Sequence, residues 1–193
     1  MNISRLCRVV ALASVAVAPA ASLAQDIQPM VKAGIDFGGD TVVTVLFTNG
    51  STQSIKANDG AYIGGGVSYL SDDKTLQGEL TLAYKTDSID ASNGSVEFTR
   101  YPLEALLFYR EQAFRLGGGF TYHLSPRIKG SGIVGNANVD LKDAPGAILQ
   151  ADYRVWRELA VGLRYTILEY KATNGFTGTA KSNGFGITFR ASF

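Results

Sequence analysis

Apolar and polar residues alternate with a period of two along most of the chain beyond residue 25. In the last ten residues one face carries Phe185, Ile187, Phe189, Ala191 and Phe193, and the other carries Gly184, Gly186, Thr188, Arg190 and Ser192. Successive side chains of a strand point to opposite faces, so this alternation predicts a strand. Seven more runs have the same form, with apolar faces that begin at Val31, Ile63, Leu76, Tyr101, Phe114, Ala147 and Leu159. Each is about ten residues long, close to what a tilted strand needs to cross a bilayer. Pro102 is the weak member of its run, because proline cannot donate to a strand ladder, and it predicts a bulge.

The connections alternate in length. Those at 71–74, 110–113 and 156–158 are short, and those at 39–60, 86–95, 125–144 and 171–183 are long. Short turns on one rim and long loops on the other are the arrangement of a transmembrane barrel. The 39–60 connection holds its own hairpin, TVVTVLFT and STQSIKA around Asn49-Gly50, a two-residue turn signal. Thr52, Ser54 and Lys56 on one face and Ser51 and Gln53 on the other leave nothing apolar for lipid. The hairpin is therefore expected to be a β-extension beyond the membrane. Its parity requires a bulge, at Gly38-Gly39 or at Asn58-Asp59-Gly60.

Periodicity alone leaves open which face points inward, since an eight-stranded soluble barrel has an apolar cavity and a wet exterior. Three features favour the inverted version. The polar faces carry full charges of both signs: Lys32, Asp36, Glu79, Lys85, Arg100, Glu104, Arg115, Asp152, Arg154, Arg164 and Arg190. These could pair across a narrow lumen. Aromatic residues stand near strand ends, as interfacial girdles require: Phe37, Tyr69, Tyr84, Tyr101, Tyr109, Phe114, Tyr122, Tyr153 and Trp156. The apolar faces carry no charge at mid-strand, where a lysine or arginine facing lipid would cost about 2–4 kcal/mol. The expected fold is all-β: an eight-stranded antiparallel up-and-down transmembrane β-barrel with short periplasmic turns and long extracellular loops.

Composition adds an address. Residues 1–24 have the form of a secretory signal peptide, with Arg5 and Arg8, an apolar stretch at 9–18, and Ser22 and Ala24 before an expected cut at Gln25. That stretch is too short for a membrane helix, which needs about 20 apolar residues. The single cysteine, Cys7, would leave with it, and 25–193 would be the barrel domain. The whole chain has 18 basic and 17 acidic residues, which gives no reason to expect nucleic acid as a partner.

The ending GFGITFRASF, with FGGDT, PLEALLFYR, GGGFTYHL, LQADYR and GLRYT, resembles small eight-stranded bacterial outer-membrane barrels, the OmpA/OmpX-like group, and a family of such barrels of unassigned role. The resemblance implies a Gram-negative outer membrane, periplasmic termini and exposed long loops. It implies that Phe189 and Phe193 belong to an insertion signal read by the barrel-assembly machinery. Outer-membrane lipid, lipopolysaccharide and periplasmic chaperones are the implied partners, for a monomer.

Catalytic chemistry is sparse. A mature chain with no cysteine and one histidine excludes zinc sites of the usual composition, and no metal or cofactor is expected. Asp72-Asp73, Asn58-Asp59 and Asp140/Asp143 lack the spacing of a calcium loop and read as solvated turn residues. His123-Leu124-Ser125 resembles the His-x-Ser pair of barrel enzymes that deacylate lipid A, with Asp140 or Asp143 as the acid. Against it, Pro126 stands where that family carries Asn, and parity turns His123 toward the lumen. The favoured reading is a non-catalytic barrel whose lumen is plugged by paired charges and whose loops meet a surface partner. A narrow channel and the deacylase are the alternatives.

Overall fold

The computed structural model describes residues 27–47, 50–91, 94–132, 138–173 and 178–193. The expected leader and Asn49 of the expected turn lie outside the described residues. Twelve strands follow in chain order: β1 (Ile27–Gly38), β2 (Thr41–Leu46), β3 (Thr52–Lys56), β4 (Gly60–Leu70), β5 (Leu76–Ala91), β6 (Gly94–Glu111), β7 (Phe114–Gly132), β8 (Asn138–Asp140), β9 (Ala144–Trp156), β10 (Leu159–Lys171), β11 (Thr179–Lys181) and β12 (Gly184–Ser192).

Eight of them form a closed antiparallel ring. From β1 it runs through β4, β5, β6, β7, β9, β10 and β12 and returns to β1. Closure removes the unpaired edges that an open sheet would leave in lipid. The alternation selects the faces as expected. In β1, Lys32, Gly34 and Asp36 are buried, whereas Val31, Ile35 and Phe37 are exposed. In β10, Ala160, Gly162 and Arg164 point inward between Leu159, Val161 and Leu163.

The structure departs from the sequence reading on one rim. Within the connections expected at 86–95 and 125–144, residues 86–91, 94–95 and 125–132 are strand, so that β5, β6 and β7 have 16, 18 and 19 residues. The period is unbroken in β5 and β6, but the faces exchange character. Ile89, Val96 and Phe98 are inward and buried, while Ser88, Asp90 and Glu97 face outward. An alternation of few apolar residues among many polar ones reads as loop when lipid is assumed outside. It is a strand when water is outside.

The expected bulge lies elsewhere. Pro102 pairs regularly with His123, and the register shifts between Thr99 and Tyr101, opposite an extra residue near Ser125 in β7. Ser125 has a positive φ of 47°, and Pro126 follows it with no N–H to donate. This bulge carries the inward parity of β7 from His123 to Pro126 and Ile128.

The β2–β3 hairpin forms its own two-stranded sheet. Its register is irregular between Thr41 and Val43, just beyond Gly38 and Gly39, whose φ values are 112° and 85°. The hairpin is not apolar-free. Ile55 is fully buried, and Val43, Val45 and Phe47 pack against a core of Ile89, Val96, Phe98, Leu168 and Tyr170. The returning chain then dips into the barrel mouth. Asn58, expected to be a solvated turn residue, is fully buried there, and its Nδ2 donates to Phe37 O at 3.2 Å.

Candidate functional site

The inward charges separate into layers. In the middle of the barrel Glu104 accepts from Lys32 Nζ at 2.9 Å and from Arg164 Nη2 at 2.5 Å. Arg164 Nε lies 3.8 Å from Asp36, which in turn accepts from Lys85 Nζ at 2.5 Å. Nearer the turn rim, Arg115 bridges Glu79 and Asp152, with its Nε 2.6 Å from Asp152 Oδ2. Arg190 Nε lies 2.8 Å from the same Glu79. All nine side chains are buried.

Glycine makes room for these carboxylates. A Cβ at Gly186 would overlap Asp36 Oδ1, and one at Gly162 would overlap Asp152 Oδ1. Apolar side chains fill part of the same lumen. Leu106, Phe108 and Ile148 form a buried patch, and the Arg115 guanidinium stacks 4.0 Å from the centre of the Phe108 ring.

Two residues stand apart from the pairs. Arg100 is fully buried and has no ion pair among the described residues. It donates to the backbone carbonyls of Asp59 and Phe98 and lies 4.1 Å from the centre of the Phe98 ring. Arg154 does not belong to the lumen network. It is exposed at the turn rim, where its Nη2 donates to Gln112 O at 2.9 Å. Parity alone placed it inward, but its strand has already reached the mouth, where the interior meets solvent.

The remaining candidates lie on the outside or at the loop rim. All nine girdle residues are exposed and form a belt near each rim. Phe114 meets Tyr153 at 4.8 Å between ring centres, and Tyr84 meets Tyr101 at 5.6 Å. Tyr165 and Phe185, 4.7 Å apart, extend the belt and were not singled out from sequence. Phe189 and Phe193 face outward, and Phe193 N donates to Pro29 O at 3.0 Å.

His123 and Ser125 diverge. His123 is buried with its Nδ1 against the Tyr170 hydroxyl, whereas Ser125 is exposed. Asp143 accepts from the Ser125 backbone N–H at 2.8 Å, and Asp140 pairs with Arg127 at 2.5 Å. The sequence reading missed Tyr62, Ser68, Gln150 and Tyr170 as lumen partners. Inward parity would have selected the first three, while Tyr170 lies past the point where its strand was expected to end.

A closed eight-stranded ring with ionic side chains inside and an aromatic-bounded apolar belt outside defines a transmembrane barrel of the outer-membrane type. The outer membrane protein beta-barrel domain family matches residues 10–193, and the chain belongs to that family. It is thus a bacterial outer-membrane protein. No curated protein matches the sequence. Among solved structures, the fold is similar to that of Ail, the attachment invasion locus protein of Yersinia pestis, in complex with the heparin analogue sucrose octasulfate. The TM-score is 0.53 at 11% identity, over 86% of this chain and 97% of that one. Neisserial surface protein A aligns over 86% of this chain and 96% of its own at 10% identity, with a TM-score of 0.47.

Proposed function

We propose that this protein is a plugged, non-catalytic outer-membrane barrel that acts through a rigid β-extension facing the cell exterior. The observation that carries the reading is the change of character at the mouth. A lumen crossed by buried ion pairs ends beneath the returning hairpin segment, and an extension with its own apolar core rises beyond it. Eight strands leave an interior just wide enough for side chains. Asn58 and the Asp59 carbonyl close over Lys85 and Arg100, which favours a plug over a channel. The engaged His123 and the outward Ser125 favour a structural role over deacylation.

In this reading 1–24 is a cleaved leader, the termini are periplasmic, and the chain is a monomer inserted by the barrel-assembly machinery through the segment ending in Phe193. Arg127, Lys129, Lys142, Lys171 and Lys181 are exposed on the extension and suit the phosphates of lipopolysaccharide. The complex of Ail with a sulfated sugar supports the idea that a barrel of this fold can offer such cations to an anionic ligand.

Three measurements test the reading. Protease applied to intact cells should cut within the extension, around Gly50 or between 130 and 138; cuts confined to the turns at 71–75 and 112–113 would invert the topology. The purified barrel in a planar bilayer should show no steady ion conductance, and steady conductance would replace the plug with a channel. Incubation with lipid A should release no acyl chain, and release abolished by Ser125→Ala would make the protein an enzyme.

A further inference from the structure

Five arginines meet at the turn rim. Arg110, Arg115, Arg154, Arg157 and Arg190 line one small cavity of about 20 Å³ there, together with the acids Asp152 and Glu158. The register explains the convergence. Arg110 stands directly opposite Arg115 across β6 and β7, and Arg115 stands opposite Asp152 of β9. Two residues along β9, Arg154 flanks Ala160 of β10, whose other neighbour is Arg190 of β12. Arg157 follows in the turn between β9 and β10. The chain on both sides of each arginine is described, so no undescribed segment interrupts the elements that form the cavity.

The charges do not balance there. Arg115 and Arg190 are buried and taken up by Glu79 and Asp152, two cations against two carboxylates. Arg110, Arg154 and Arg157 remain against Glu158, and none of the four has an ion pair among the described residues. Asp72, Asp73 and Glu111 stand on the same rim but do not line the cavity, and Asp73 is engaged by Ser71 and Thr75. Like charges directly opposite on a sheet are destabilising, and Arg110 is acted on more strongly by Arg154 and Arg115 than by Glu158 and Glu79. Arg154 is nevertheless held in place, its Nη2 donating to Gln112 O at 2.9 Å, with further N–H donors to offer. A guanidinium is a rigid fork of donors that matches an oxyanion. One fork satisfies the two oxygens of a carboxylate, whereas the oxygens of a phosphate can accept from several forks at once. Room for roughly one water-sized group admits a single oxygen and keeps a sugar or ring outside. We propose that the turn-rim mouth binds a phosphoryl group, held by Arg110, Arg154 and Arg157 with one oxygen in the cavity. Free phosphate and the head group of an anionic phospholipid offer the same chemistry, and the girdle residue Phe114 is itself among the lining residues. The inference holds whichever side of the membrane the turns face.

The test uses the full-length barrel in octyl glucoside micelles, with nitrogen-15 in the arginine side chains, and follows the arginine Nε–H resonances. Inorganic phosphate near neutral pH should shift those of Arg110, Arg154 and Arg157 together and saturably, with a midpoint about fivefold below that of acetate at equal ionic strength. Arg110→Gln and Arg157→Gln should each weaken binding about tenfold, Glu158→Gln should strengthen it, and the heat-dependent gel shift of each confirms a folded barrel. Nanodiscs distinguish the sources. The same shifts on replacing phosphatidylcholine by phosphatidylglycerol would assign the site to a lipid head group, and a response to inorganic phosphate alone would assign it to a soluble phosphate. Equal shifts with acetate or chloride would reduce the effect to screening and overturn the proposal. Phosphate binding undiminished in the variant carrying both Arg110→Gln and Arg157→Gln, or no response to either phosphate source, would overturn it as well.

Discussion

Along β6 the inward residues Glu104 and Arg100 are ionic and their outward neighbours Tyr101, Leu103 and Ala105 are apolar, whereas two positions further on Phe98 and Val96 are inward and Glu97 is outward. The same inversion occurs in β10, where Arg164 and Thr166 give way to Leu168 and Tyr170 inside, and Ile167 gives way to Glu169 outside. One continuous strand thus serves two solvents. Within the bilayer the lipid tails are as apolar as leucine, so no hydrophobic force draws side chains into the lumen, and hydrogen bonds and ion pairs must hold it. Beyond the bilayer water surrounds the barrel, and burial of apolar surface again becomes the dominant favourable term. The barrel wall is uniform in backbone, and its stability has two separate origins.

The sharpest way to break this comparison is to remove a lumen charge. Glu104→Gln leaves Lys32 and Arg164 without their shared carboxylate, and unpairing a buried charge costs about 3–5 kcal/mol. Urea unfolding of the barrel in lipid vesicles measures it. A loss below about 1 kcal/mol would mean that water enters and screens the lumen, contrary to a dry plug.

Ile55→Ala should act on the other half. Truncating a fully buried isoleucine costs about 2–5 kcal/mol, here charged to the extension alone. The expected result is faster protease cutting near the β2–β3 hairpin with the heat-dependent gel shift of the barrel unchanged. A lowered urea midpoint for the whole barrel would show that the two halves unfold as one unit.

The membrane half was legible because its apolar face is long and regular. Five consecutive outward positions such as Leu159, Val161, Leu163, Tyr165 and Ile167 admit few other readings. Of the extension only the β2–β3 hairpin was legible; its wall was not, because Ile89, Val96 and Phe98 are few, sit among polar residues, and occupy the face already assigned to charges. Parity identifies which face a residue belongs to and carries no depth, hence the misplacement of Arg154. It also carries no partners. Lys32 and Glu104 are 72 residues apart in sequence, and only ring closure brings them together. The buried segment at Asn58 that follows the hairpin was hidden for the same reason, since its burial depends on the shape of the mouth above which it folds.

Arg154 offers a smaller test of depth. It shares a strand and a parity with Asp152, which is buried against Arg115, yet its side chain is in water. Arg154→Ala should therefore change stability by no more than about 0.5 kcal/mol, as surface substitutions usually do. An effect of lumen size in the same urea assay would place Arg154 in the network and move the boundary of the plug toward the turn rim.

The smallest expected effect lies outside the wall, in the turn between β4 and β5. There Asp73 Oδ1 accepts from Ser71 Oγ at 2.6 Å and from Thr75 N at 3.1 Å, and Oδ2 accepts from Thr75 Oγ1 at 2.7 Å. The Ser71 hydroxyl, followed by Thr75, lowers the Asp73 carboxyl from its usual 3.8 to about 2. Because the folded value lies below the unfolded one, the stabilisation is fully present above pH 3.8 and is lost as the pH falls through about 2. A carboxyl-carbon NMR titration of the folded protein should give a midpoint near 2, and Ser71→Ala should raise it. This charge is held by neighbours two residues away, in full contact with water, whereas each lumen charge depends on distant strands. A titration midpoint near the unfolded value would show that the turn is open in solution. The ionic order of the barrel would then be confined to the interior, where lipid outside and ring closure enforce it.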